Sequence, residues 1–120
     1  MSQLIYKICP ADDWAAAHAA GVYTGAPVDK ADGFIHFSTA AQLAETAARH
    51  FAGQDGLMLV AVAVSGLDAA TLKWEPSRGG ALFPHLYGPL PLDAVVDARP
   101  LPLGADGRHR FPPGIVDGDG

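Results

Sequence analysis

The chain has 120 residues, 49% hydrophobic and 18% charged, enough apolar material for one globular domain and too much for a disordered chain. Its formal net charge of −5 argues against a surface built to wrap a nucleic-acid polymer, which needs clustered Lys and Arg. The single cysteine, Cys9, excludes an internal disulfide and suits a reducing compartment.

The first residues lack the charged-then-apolar pattern of a secretory signal. The longest apolar run, residues 57–64, is too short to span a bilayer. A soluble cytoplasmic protein with no membrane partner is therefore expected.

LIYKI, residues 4–8, alternates and is rich in β-formers, so it predicts a strand that Pro10 ends. DDWAAAHAAG then predicts a helix capped by Asp12 or Asp13, anchored by Trp14 and stopped by Gly21. Residues 22–32, VYTGAPVDKAD, predict a loop. GFIHFS, residues 33–38, predicts a second strand. Alternation along it puts Ile35 and Phe37 on one face and Phe34, His36 and Ser38 on the other.

TAAQ, residues 39–42, is a capping-box pattern, and it opens a helix with Leu43, Ala47 and Phe51 on one side and its end at Gly53. LMLVAVAV, residues 57–64, is continuously apolar and predicts a central strand covered on both faces. TLKWE, residues 71–75, alternates, with Leu72 and Trp74 opposite Lys73 and Glu75. Residues 76–92, PSRGGALFPHLYGPLPL, are dense in Pro and Gly and predict a long functional or covering loop. DAVVDARPL, residues 93–101, is a last strand. Residues 1–103 thus read as a single α+β domain with its helices concentrated in the N-terminal half, and 104–120 as a loosely held C-terminal tail.

Among the five histidines, His18 and His50 lie on predicted helices at solvent-facing positions, and His109 lies in the basic knot Arg108–Arg110 of the tail. His36 lies in a strand, where a polar side chain needs a partner. His85 sits in FPHLYGP, a segment stiffened by Pro84 and Pro89. Glu75 at a strand end is either a solvated edge residue, a general base or a partner for a ribose hydroxyl. His36, Glu75 and His85 are the candidate catalytic residues.

Phe34, Trp74 and Phe83 offer flat walls to a planar ligand, and Tyr87 adds a hydroxyl to a ring. Ser38 and Thr39 bring hydroxyls, although Thr39 has a sufficient reason as a helix cap. SRGG, residues 77–80, could wrap a phosphate, with Arg78 as the charge. No HxH, HExxH or paired-cysteine spacing preorganises a metal site, and Ser38, Ser65 and Ser77 lack the strained turn of a serine nucleophile.

Three segments, IYKI…DDW, GFIHFSTAAQL and LKWEPSRGGALFPHLYGPLPLDAVV, resemble the small bacterial family called domain of unknown function 952, over roughly residues 4–100. That family is similar in fold to ADP-ribosyltransferases, and IHFST looks like a strand of the RNA 2′-phosphotransferases of the same superfamily. The resemblance implies a split, curved β-sheet with a dinucleotide cleft between its halves. It implies His36, Ser38 and Thr39 along the cleft, Tyr87 for stacking and Glu75 for ribose contact. NAD or ADP-ribose is then the expected small-molecule ligand or substrate. The first strand offers Tyr6 and Lys7 where many members of that superfamily carry His or Arg. A non-catalytic metabolite-binding module using the same cleft is the alternative.

Overall fold

The computed structural model describes residues 3–77 and 80–112. Arg78, proposed above as a phosphate ligand, lies outside the described residues. The elements run β1 (Leu4–Pro10), α1 (Ala11–Ala20), β2 (Val22–Tyr23), α2 (Pro27–Asp32), β3 (Ile35–His36), α3 (Leu43–His50), β4 (Leu57–Ala63), β5 (Leu72–Pro76), β6 (Leu82–Leu86), β7 (Leu90–Pro91) and β8 (Val95–Leu101). This is a mixed α+β domain of antiparallel sheets whose described α-helices all precede β4.

One three-stranded sheet has the order β1-β4-β8 and another the order β3-β6-β5, with a small β2-β7 pair beside them. As its continuous apolar run predicts, β4 is central and covered on both faces. Val60 and Val62 join Ile5, Cys9 and the α1 residues Trp14 and Ala17. Leu57, Leu59 and Ala61 join Tyr6, Ile8, Leu101 and the α3 residues Leu43 and Ala47. Each large aliphatic buried in this way contributes roughly 1.5–3 kcal/mol. Cys9 is fully buried, and burial pushes its thiol up to about 11, so it is an inert core residue.

Several local expectations are corrected. Helix α1 starts at Ala11 with Pro10 at its N-cap, two or three residues before the expected cap at Asp12 or Asp13. Asp12 and Asp13 therefore sit in its first turn, where the positive end of the helix dipole favours them. The stretch 22–32 is a short strand and a short helix rather than a loop. Its helix begins with Pro27 at the first helical position, whose fixed φ suits it, and ends at Gly33 in the left-handed conformation. Six residues are too few to show a helical period, so the sequence reads as a loop.

The stretch 76–92 is likewise not a loop: it contains β6, the middle strand of the second sheet, and β7. The tail expected over 104–120 is described only to residue 112. Within that part Gly104 N–H donates to Arg108 O at 2.7 Å, and His109 is buried with its Nε2 at 2.7 Å from Gln54 O. His109 thus differs from the solvated reading.

Segment 33–38 joins the two large sheets. Ile35 and His36 pair with Leu86 and His85 of β6. Phe37 N–H still donates to Pro84 O at 3.0 Å, but Pro84 has no N–H to return. The ladder stops there, and the chain crosses to β1, where Tyr6 and Ser38 exchange N–H···O bonds of 2.8 Å in both directions. The expected strand is therefore short because it changes partner half-way. Ile35 and Phe37 enter the core, as alternation predicts. Among the described residues no helix is long and apolar enough to cross a membrane.

Candidate functional site

The site begins with strand register. His36 lies directly opposite His85 in the β3-β6 pair, so both rings rise from one face of the sheet. On β5, Lys73 is opposite His85 and Glu75 is opposite Phe83. Alternation therefore brings Phe34, His36, Lys73, Glu75, Phe83, His85 and Tyr87 to a single face. The other face carries Ile35 and Leu86 into the core.

Phe34 is the hub of this face. Its ring centroid lies 4.2 Å from His85, stacked, 4.6 Å from His36 and 5.1 Å from Tyr87. The two imidazoles meet edge to face at 5.6 Å. His85 Nδ1–H donates to Glu75 Oε1 at 2.8 Å, and the Tyr87 hydroxyl donates to the same oxygen at 2.7 Å. With its proton on Nδ1, a neutral His85 carries its lone pair on Nε2. The His85 and Tyr87 bonds hold the Glu75 carboxyl below its ordinary range, and in turn the Glu75 bond raises the Tyr87 phenol.

A second network lies behind His36. Asp29 on α2 is only 1% exposed. Its Oδ1 accepts from Lys7 Nζ at 3.0 Å, from His36 N–H at 3.1 Å and from His36 Nδ1 at 2.5 Å. Its Oδ2 accepts from Ala26 N–H at 2.7 Å and lies 2.8 Å from Lys7 Nζ. Burial alone would raise this carboxyl, but the His36 bond and the Lys7 charge outweigh it and hold it down at about 2. Gly25 makes room: its φ is +110°, and a Cβ there would come within 2.7 Å of Asp29 Cβ. The outer nitrogen of His36, Nε2, lies 2.9 Å from Asp32 Oδ2. Both ring nitrogens thus face carboxylates.

His36 and His85 both open onto a cavity of about 520 Å³ between β1, α2, α3 and β6. Its polar lining includes Lys7, Asp32, Ser38, Thr46 and Ser77, and its apolar lining includes Phe37, Phe51 and Phe83. The Ser38 hydroxyl is 3.0 Å from that of Thr46. His50, expected to face solvent, is exposed and also lines this cavity. A smaller hollow of about 330 Å³ lies behind Phe34, between α2 and the start of β7.

Most candidate residues from the sequence therefore converge, but not all. His36, His85, Ser38 and Phe83 line the cavity, with Glu75, Tyr87 and Phe34 joined to the histidines. Thr39 serves as the N-cap of the turn Ala40–Gln42, its N–H donating to Gln42 Oε1 at 2.9 Å, and it is not part of the cavity wall. Trp74 is opposite Pro84, on the strand face away from Glu75, and is 37% exposed. It forms no wall of the site. Among the described residues no three His, Cys, Asp or Glu side chains converge as a metal-ligand set.

Sequence reasoning noted Lys7 without placing it in the site, and missed Asp29 and Asp32. A signal for Lys7 was present: it shares its strand face with Ile5 and Cys9, which are fully buried, and a cation there requires an anion. Asp29 had a weaker signal, at the third position of a helix whose Ala26 cap has no side-chain acceptor.

The chain is similar to protein CC0527 from Caulobacter crescentus. Its crystal structure superposes with a TM-score of 0.85 at 51% identity, over 89% of this chain and 93% of that one. Its solution NMR structure gives 0.78 at 52% identity, over 88% and 90%. No curated protein matches the chain significantly. The family described as protein of unknown function, DUF952, matches residues 8–98. With that match spanning most of its length, the chain belongs to the DUF952 family.

Proposed function

We propose that the cleft between the two large sheets binds a ribonucleotide of the NAD or ADP-ribose class, and that the protein acts at the glycosidic carbon of that ligand. The observation that carries this reading is the Glu75 carboxylate, held beside Phe34 and Tyr87 by bonds from His85 and Tyr87. Glycosidic cleavage builds positive charge at the anomeric carbon, and a fixed carboxylate stabilises it. Lowered by its two donors, Glu75 is ionised at neutral pH, as that role requires. Both bonds fall on Oε1, so Oε2 would accept from a ribose hydroxyl. Phe34 and Tyr87 would pack on the planar ring, and Lys7, His36 and Ser38 would line the phosphate end.

Two bridged sheets with the 35–38 segment crossing between them suit an ADP-ribosyltransferase-like architecture, which supports the same reading. The acidic overall charge favours a small ligand over a nucleic-acid polymer, and the free, buried thiol suits the cytoplasm. A non-catalytic binding module in the same cleft is the second reading. It is favoured by His36, whose two ring nitrogens are already engaged.

The test is a two-dimensional NMR titration of wild type and Glu75→Gln with NAD, ADP-ribose, nicotinamide and AMP. Saturable shifts centred on residues 34–39 and 83–88 are expected. Free nicotinamide released from NAD by wild type and not by Glu75→Gln selects the enzyme. Shifts without products select the binding module. No shifts at millimolar ligand would end the nucleotide reading.

A further inference from the structure

Asp32 has an unusual position for a carboxylate. It is the last residue of α2, where the negative end of the helix dipole disfavours an anion. It is 47% exposed, yet it reaches back to His36 Nε2 at 2.9 Å and lines the rim of the cavity. Its neighbour Asp29 is different in kind: fully enclosed and tied to Lys7, to His36 and to the backbone. Asp29 belongs to the framework, whereas the Asp32 contact is made from the solvent side.

Two carboxylates thus flank the His36 ring, Asp29 from the framework and Asp32 from the solvent side. Lys7 and the Ser38 and Thr46 hydroxyls line the same cavity.

We infer that the cavity face of His36 Nε2 is a binding site for a phosphate group, and that Asp32 occupies it as a displaceable internal anion. A phosphate oxygen replaces the Asp32 carboxylate as acceptor from Nε2–H, and Asp32 swings into solvent. The site is self-capped: only a ligand more strongly held than Asp32 opens it, which selects against weakly anionic metabolites. The inference rests on the ribonucleotide reading, because it assigns the ligand's phosphate end to His36.

The test measures binding of inorganic phosphate and of ADP-ribose to wild type, Asp32→Asn and the double variant Asp32→Asn/His36→Gln, by NMR titration. Removing the competing charge is expected to tighten inorganic phosphate about tenfold or more in Asp32→Asn, and the double variant is expected to lose that gain. An unchanged melting temperature in Asp32→Asn confirms that the fold is intact. Equal or weaker phosphate binding in Asp32→Asn overturns the inference, as does a gain that survives loss of His36. The two readings separate cleanly. If wild type binds ADP-ribose and Asp32→Asn changes neither affinity, the internal-anion inference fails and the ribonucleotide reading stands. If phosphate tightens but no form binds ADP-ribose, the anion site stands and the ribonucleotide reading falls.

Discussion

The sheet β1-β4-β8 is covered on both faces, by α1 and the second sheet on one side and by α3 on the other. The sheet β3-β6-β5 gives only one face to that core. Its other face carries Phe34, His36, Glu75, His85 and Tyr87, whose rings and carboxylates pack on one another. In the first sheet alternation separates two apolar layers; in the second it separates core from chemistry. Polar side chains collect on that face because there each one finds either water or a partner.

The contrast is sharpest where the sheets meet. Lys7, on β1, is the one described charged side chain buried within the first sheet, and Asp29 joins it to His36 of the second. Asp29→Ala leaves Lys7 buried and unpaired, so a loss of about 3–5 kcal/mol in urea unfolding is expected. A loss near that of a surface substitution would show that the two sheets are not tied through this pair.

Next in size is a direct comparison of a buried and an exposed strand position. Leu59→Ala, in the doubly covered strand, is expected to cost about 2–5 kcal/mol. Leu82→Ala, at the exposed first position of β6 with its side chain 51% exposed, is expected to stay within about 0.5 kcal/mol. Equal losses at the two positions would mean that the start of β6 is covered in solution.

The acid limb of stability tests the junction in another way. The Asp29 carboxyl is held at about 2 in the fold against an ordinary 3.8. A lowered carboxyl stabilises the folded state fully above its unfolded value and loses that contribution as pH falls through its folded value. Stability is therefore expected to fall between about pH 4 and pH 2 by on the order of 2 kcal/mol, and this step should be absent in Asp29→Asn. An acid profile of the same depth in that variant would assign the step to other carboxylates.

The smallest expected effect on stability lies on the open face. Glu75→Gln is expected to leave the urea midpoint in place. Its effect appears at Tyr87, whose phenol is raised by the Glu75 bond. In the variant Tyr87 should titrate at lower pH than in wild type, while Tyr6 and Tyr23, raised by burial, stay put. Carbon-13 tyrosine NMR separates the three rings. A Tyr87 that does not move would mean that the Glu75–Tyr87 bond is absent in solution.

Local pattern alone determined the elements whose environment is uniform. The run 57–64 reads as a doubly covered strand because only such a strand tolerates continuous apolar side chains, and the strand within it is the middle of its sheet. Gly21 ends α1, and Ile35 and Phe37 enter the core, because a left-handed cap and a two-residue period are local properties. Residue chemistry, a histidine within a strand, a carboxylate at a strand end, and a histidine and a tyrosine in a proline-stiffened segment, made His36, Glu75, His85 and Tyr87 worth singling out.

Tertiary structure decided the rest. Strand β6 forms in a segment rich in Pro and Gly because β3 and β5 offer it two edges, and Pro84 is accommodated where the β3 ladder ends. The facing of His36 on His85 depends on register between distant strands, which no local pattern encodes. The Lys7–Asp29–His36–Asp32 chain exists only because α2 packs across β1 and β3, and the direction of Trp74 away from the site follows from its pairing with Pro84. A charge buried among apolar neighbours announces that it needs a partner; which partner, and what cavity the pair then faces, is fixed by packing.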